Sequence, residues 1–192
     1  MESNAFNTRR LVITAVLIAI SIVLAIPLNM GPLISLGFLT FGAIAITFMH
    51  VPAIIGGVME GPLVGLIVGA AFGAFSLFLA SQQPAGSPNA IFVDPIISIV
   101  PRLFIGPVAW LVYRALKGFG EQAGLVGAGV AGTLTNTILV IGAISLRLGA
   151  DFLAIFASVA LNVVFEVIVA LVIVVAVVNA LRGTSGRAGS RV

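Results

Sequence analysis

Apolar residues fall into six long blocks along the chain, separated by short polar or glycine- and proline-rich breaks. The blocks cover residues 11–28, 43–59, 62–80, 95–116, 123–146 and 152–181. A membrane helix needs ~20 mostly apolar residues at ~1.5 Å rise each. The pattern therefore predicts an all-α integral membrane protein with six transmembrane helices. Asn29-Met30-Gly31-Pro32 ends the first block, and Glu60-Gly61-Pro62 separates the second from the third. The segment from Gln82 to Asn89 is the longest polar stretch and belongs outside the hydrocarbon. Asp94-Pro95 has the form of an N-cap followed by a proline at the first helical position, and Asp151 is placed to cap the sixth helix. The boundary around 43–62 is the hardest to draw, because Pro52 and Pro62 both interrupt it.

The positions of lysine and arginine give this pattern a direction. With the N-terminus inside, Arg9, Arg10, Arg114, Lys117, Arg182, Arg187 and Arg191 all lie on the cytoplasmic side, and only Arg147 lies in an outer loop. The expected organisation is one transmembrane domain, 1–192, in the cell membrane. It has a short cytoplasmic segment, 1–9, and a cytoplasmic basic tail, 182–192. Arg9-Arg10, the apolar run and the small residues near Ala25 also have the look of a cleavable export signal. With no soluble domain to export and an even span count, the helix is read as retained.

Composition narrows the function classes. The chain is 60% hydrophobic and 8% charged, whereas a soluble domain carries ~25% charged residues. A soluble enzyme, a disordered tail and a nucleic-acid module are excluded. With no cysteine and one histidine, no thiolate or multi-histidine metal site is expected, and no cofactor.

Two glycine patterns read differently. Gly61, Gly65, Gly69 and Gly73 recur every four residues and mark a stripe for close helix packing. Gly127, Gly129 and Gly132 match GxGxxG, but inside an apolar block with no strand before it, so the match is read as accidental. No P-loop sequence is present.

Ionisable and amide groups within the blocks are the candidate chemistry, because lipid does not solvate them. Arg102 lies ~10 Å below the outer surface at helical rise. It forms either a guanidinium fork for a substrate carboxylate or an ion pair with Glu166. Ser98 stands one turn before it. Asn162 and Glu166 form an i, i+4 pair, and Asn136 stands on a polar face with Thr133 and Thr137, the threonines being read as bonded to their own backbone. His50 is read either as a helix–helix hydrogen bonder or as a ligand contact. Glu60, at the cytoplasmic end, is read as snorkelling to water. The costly residues gather in the outer half and middle of spans two, four, five and six, which describes a small-molecule site open to the outside.

Several stretches carry a family resemblance. They are Ala15 and Ala19 as an AxxxA pair, the run from His50 to Gly65, Val100 to Gly106 with Tyr113-Arg114, Leu134 to Thr137, and Asn162 to Glu166. As an ordered set covering the whole chain, this resembles the S components, the substrate-binding membrane subunits of energy-coupling factor (ECF) vitamin transporters. The resemblance implies a six-helix bundle that captures a water-soluble vitamin from outside, between the outer helix ends and the loop after helix one, here 31–41. It implies docking through Ala15 and Ala19 on a shared transmembrane coupling protein. Two ATPases supply the energy, and the subunit topples in the membrane to release its load. The chain itself is then no enzyme. The His50-Val51-Pro52 and Pro101-Arg102 stretches look most like members handling pantothenate. The expected substrate-binding residues are His50, Ser98, Arg102, Asn136, Asn162 and Glu166. The alternative is a structural membrane protein of the rod-shape-determining type, which would have no use for that polar set.

Overall fold

A computed structural model describes residues 8–26, 38–41, 44–84, 86 and 88–188. Helix α1 (Thr8–Ala25) leads to a two-stranded antiparallel hairpin, β1 (Phe38–Phe41) and β2 (Ile44–Thr47), with Phe38 paired to Thr47 and Phe41 to Ile44. Then come α2 (Val51–Glu60), α3 (Pro62–Ser81), a 3-10 turn over Pro88–Val93, α4 (Pro95–Ser98), α5 (Val100–Leu116), a 3-10 turn over Lys117–Phe119, α6 (Glu121–Leu148) and α7 (Phe152–Ala188).

The six apolar blocks reappear, five of them in helices long and apolar enough to cross a membrane. The second block differs in kind. It is a strand followed by a helix of 10 residues, which spans ~15 Å, half the ~30 Å hydrocarbon core. Non-helical backbone at that depth is tolerated only where protein covers it or where it lines a cavity. Residues 51–58 are all buried, and α2 packs against α1, α3, α5, α6 and α7.

The core forms around α2. Ile54, Ile55 and Val58 meet Leu17 of α1, Val64, Val68 and Phe72 of α3, Ile105 and Ala109 of α5, Leu125 and Ala128 of α6, and Ala170 and Val174 of α7. The outward faces remain apolar, as in Leu11, Val16, Leu66, Phe104, Leu111 and Val172, because lipid rather than water meets them.

Helix ends follow the local sequence. Asp94 caps α4 by accepting from the Ile96 N–H at 2.8 Å, with Pro95 just inside the helix, and Asp151 accepts from the Ala154 N–H at 2.8 Å. Both predicted caps are formed. The fourth block is not one helix but two, α4 and α5, parted at Ile99. Pro101 has no N–H for the Ile97 carbonyl four residues back, so the helical ladder is interrupted there. Helix α7 runs through Arg182 to Ala188, into the segment expected as the basic tail. Gly61 is a turn rather than part of the packing stripe: its φ of 98° joins α2 to α3, a backbone region open to glycine at no steric cost.

Ion pairs tie the helices at their ends. Glu60, 7% exposed, faces Arg9 at 3.6 Å and Arg10 at 3.8 Å, joining the start of α1 to the α2–α3 turn. Its snorkelling to water is thus replaced by two arginines that come to it. At the same end, Tyr113 donates to Glu121 at 2.9 Å, and Arg182 pairs with Glu121, binding α5, α6 and α7. At the opposite end, Arg147 pairs with Asp94 at 2.7 Å.

Candidate functional site

The site begins with how closely α3 and α5 approach. A β-carbon on Gly65 would stand 2.7 Å from the Gly106 Cα, and one on Gly73 would stand 2.8 Å from the Ile99 Cα. One on Gly69 would overlap the Arg102 carbonyl oxygen. The predicted stripe therefore consists of Gly65, Gly69 and Gly73, and what it packs against is the backbone that carries Arg102. The GxGxxG match lies within α6, where Gly127 faces Leu116, Gly129 faces Leu171 and Gly132 faces Ile54. Those contacts are helix packing.

Arg102 is 5% exposed. Its Nη1 donates to the Ile97 carbonyl, the acceptor that Pro101 leaves open, so the Pro101-Arg102 pair both breaks the ladder and closes it with a side chain. The guanidinium carbon lies 5.6 Å from the Phe72 ring centre and 5.0 Å from that of Phe92, within reach of a cation–π attraction. Arg102 Nε is buried without a hydrogen-bond partner among the described residues. Ser98, fully buried, donates its hydroxyl to the Phe92 carbonyl and fixes the turn that brings Phe92 over. Its observed bond is thus to backbone.

The ion pair between Arg102 and Glu166 is not formed. Glu166, on α7, instead accepts from the backbone N–H of Thr47 at 2.9 Å. Thr47 is the last residue of β2, so the carboxylate receives a strand donor that the hairpin leaves unpaired on that side, and it anchors the hairpin to α7. Asn162 lies one turn before Glu166, half-buried.

His50 is fully buried at the start of α2. Its Nε2 is 3.0 Å from the Thr133 hydroxyl of α6, and its Nδ1 has no partner among the described residues. Thr133, read from the sequence as serving only its own helix, is thus the histidine's partner; Thr135 is the one that bonds its own backbone, to Ala131 at 2.7 Å. Asn136, one turn beyond Thr133, buries an Oδ1 that has no partner among the described residues.

The structure joins His50 to the Thr133–Asn136 turn by a hydrogen bond. Glu166 joins the group through Thr47, three residues before His50. Sequence reasoning missed Phe72 and Phe92, and it did not foresee the Thr47 backbone N–H as the partner of Glu166. The two aromatic residues carry no signal of their own in an apolar block, whereas the proline preceding Arg102 is a signal that could have pointed to the open carbonyl. No group of three or more potential metal ligands occurs among the described residues. Of the loop 31–41, residues 31–37 lie outside the described residues, and 38–41 form β1.

The small residues of α1 face away from all this. Ala15 and Ala19 are exposed, on a face shared with Leu11, Val12, Val16 and Ile20. The helix buries only Thr14, Leu17, Ser21 and Ala25 against the bundle.

Comparison with known proteins matches this sequence to transporters. The family described as "ECF transporter, substrate-specific component" matches residues 9–178. A pantothenic acid transporter, PanT, of Lactococcus lactis subsp. cremoris (strain MG1363) is 32% identical over 157 residues, covering 70% of this chain and 76% of the relative. A pantothenate transporter, PanT, of Leuconostoc mesenteroides subsp. mesenteroides is 25% identical over 176 residues, covering 80% and 85%. The match runs through every helix described above, from the exposed alanine face of α1 to Glu166 on α7, and the chain belongs to the substrate-specific components of ECF transporters.

Proposed function

We propose that this subunit captures pantothenate, or a small vitamin of the same chemistry, from outside the cell and delivers it to an ECF import machine. The supporting observation is that, of the five buried side-chain polar atoms without partners among the described residues, three (Arg102 Nε, His50 Nδ1 and Asn136 Oδ1) belong to the polar set expected from the sequence, the other two being serine hydroxyls at Ser21 and Ser145. Buried polar groups are nearly always hydrogen-bonded, and each orphan costs ~1–3 kcal/mol until it is paired. Pantothenate offers a carboxylate for the guanidinium, with hydroxyl and amide groups for the imidazole and the amide. Glu166 and Asn162 complete the wall through the hairpin. Both relatives named above are pantothenate transporters, which supports this substrate over other acidic vitamins.

The arginine-bearing end, with Arg9, Arg10, Arg114, Lys117 and Arg182, is placed in the cytoplasm, together with both termini. The polar set then lies in the outer half and middle, reached from outside. The exposed face of Ala15 and Ala19 docks the subunit on a transmembrane coupling protein carrying two ATPases, which supply the energy this chain has no P-loop to harvest. A rod-shape structural role leaves the orphaned atoms unexplained.

The test is a thermal-shift and calorimetric screen of the purified full-length protein against water-soluble vitamins. A ligand bound by the folded state raises the melting temperature by mass action. Pantothenate is expected to give the largest shift, and Arg102→Ala is expected to lower its affinity roughly ten- to a hundredfold. A protein stabilised by none of the vitamins overturns the reading.

A further inference from the structure

The charge on Arg102 is held at membrane depth without a carboxylate. Among the described residues the arginine ion pairs belong to Arg9, Arg10, Arg147 and Arg182, and none belongs to Arg102. What borders the guanidinium is one carbonyl and two aromatic rings. We infer that Phe72 and Phe92 are positioning residues for the substrate's anionic group: their rings hold the Arg102 guanidinium, offset its charge in place of an acid, and keep its Nε edge turned to the ligand. This rests on the carboxylate reading given above and extends it to residues that touch the arginine rather than the substrate.

Three features carry the inference. The rings come from different elements, α3 and the 3-10 turn over Pro88–Val93, so each approach is built independently. Each is locked from behind. Phe72 is 5% exposed in the core, and it stands between Gly69 and Gly73, the residues that let α3 lie directly on the α5 backbone. The Phe92 carbonyl receives the buried Ser98 hydroxyl. Finally, Nη1 is already committed to Ile97, so the side-on edge formed by Nε and Nη2 is the one left for a planar two-oxygen acceptor.

The electrostatic consequence is selectivity. A carboxylate partner would neutralise the arginine and make an incoming anion compete with it. An aromatic face attracts the cation through its quadrupole but leaves the net charge in place. The ligand-free site thus keeps a positive charge in a poorly solvated setting, which favours a monoanion over a neutral molecule of the same shape.

The experiment compares binding of pantothenate with that of its neutral alcohol, pantothenol, by calorimetry on the full-length protein. The set is the wild type, Phe92→Leu, Phe72→Leu and Phe92→Trp. The leucine variants are expected to lose roughly three- to thirtyfold in pantothenate affinity, the range of a desolvated cation–π contact, with pantothenol binding unchanged. Phe92→Trp, which retains an aromatic face, is expected to keep the preference for the acid. Equal losses for both ligands reduce the rings to packing and overturn the inference, as does a leucine variant that binds both ligands like the wild type. Should Phe72→Leu not fold, Phe92→Leu at its half-exposed position decides alone. A wild type that does not prefer the acid to the alcohol removes the carboxylate reading itself, and this shows before any substitution is compared.

Discussion

Gly69 lies against the Arg102 carbonyl so closely that any side chain at position 69 would overlap it. The packing stripe of α3 and the arginine of the site are one device. The backbone contact sets how deep Arg102 sits and where its guanidinium meets Phe72, one turn along the same helix.

Substituting Gly69 therefore disturbs stability and binding together. Gly69→Ala is expected to force α3 from α5 at an overpacking cost of about 1–3 kcal/mol and to weaken ligand binding. Gly142, whose β-carbon would meet nothing within 4 Å, is the control, and Gly142→Ala is expected to change neither. Thermal unfolding and calorimetry on the two variants read both effects.

His50 and Thr133 join α2 to α6 through one buried hydrogen bond of 3.0 Å. Thr133→Val removes the hydroxyl while keeping the shape, leaving the imidazole with no partner at either nitrogen. A stability loss of about 1–3 kcal/mol is expected, the cost of an unsatisfied buried group. Bound ligand, by reaching Nδ1, is expected to recover part of the loss, seen as a larger ligand-induced melting shift in the variant than in the wild type.

On the proposed function, the α1 face serves coupling and not capture. Ala15→Leu together with Ala19→Leu places bulk on an exposed surface where no bundle contact is lost, so folding and pantothenate affinity are expected to persist. Co-purification with the coupling protein and its ATPases is expected to fall, because close helix approach depends on small residues. Parallel loss of binding and complex would make the alanine pair a folding contact.

Acid acts at the end of the bundle opposite Glu60. Arg147 donates to Asp94 at 2.7 Å, and the Ile96 N–H also donates to it, which holds the Asp94 carboxyl below its ordinary range. A lowered native value means the unfolded chain takes up the proton first as pH falls. The stabilisation is thus fully present above the ordinary aspartate value of ~3.9 and is lost as pH drops through the lower native value. The melting temperatures of the wild type and Asp94→Asn are expected to differ at neutral pH. The gap should close as pH is taken below ~4.

Much of this was readable in one dimension. Hydropathy blocks located five crossing helices because each residue in lipid must be apolar on its own account, whatever its neighbours. Asp94-Pro95 and Asp151 announced helix starts because a cap bonds backbone within three residues. The four-residue glycine spacing announced close packing. Arg102, His50, Asn136 and Glu166 stood out because their burial costs energy wherever they point. Residues whose burial costs nothing did not stand out. Phe72 and Phe92 are apolar residues among apolar residues, and Thr133 is one helix threonine among several.

The chain by itself determined what had to be buried, and at roughly what depth, since solvation is a property of each side chain alone. Only the tertiary structure decided who met whom. It sent Glu166 to the Thr47 N–H and not to Arg102, gave Arg102 two rings and the carbonyl that Pro101 left open, and reduced the second span to a half-length helix beneath a hairpin. Those outcomes depend on partners from helices far apart in sequence competing for the same few polar atoms, a competition settled by packing.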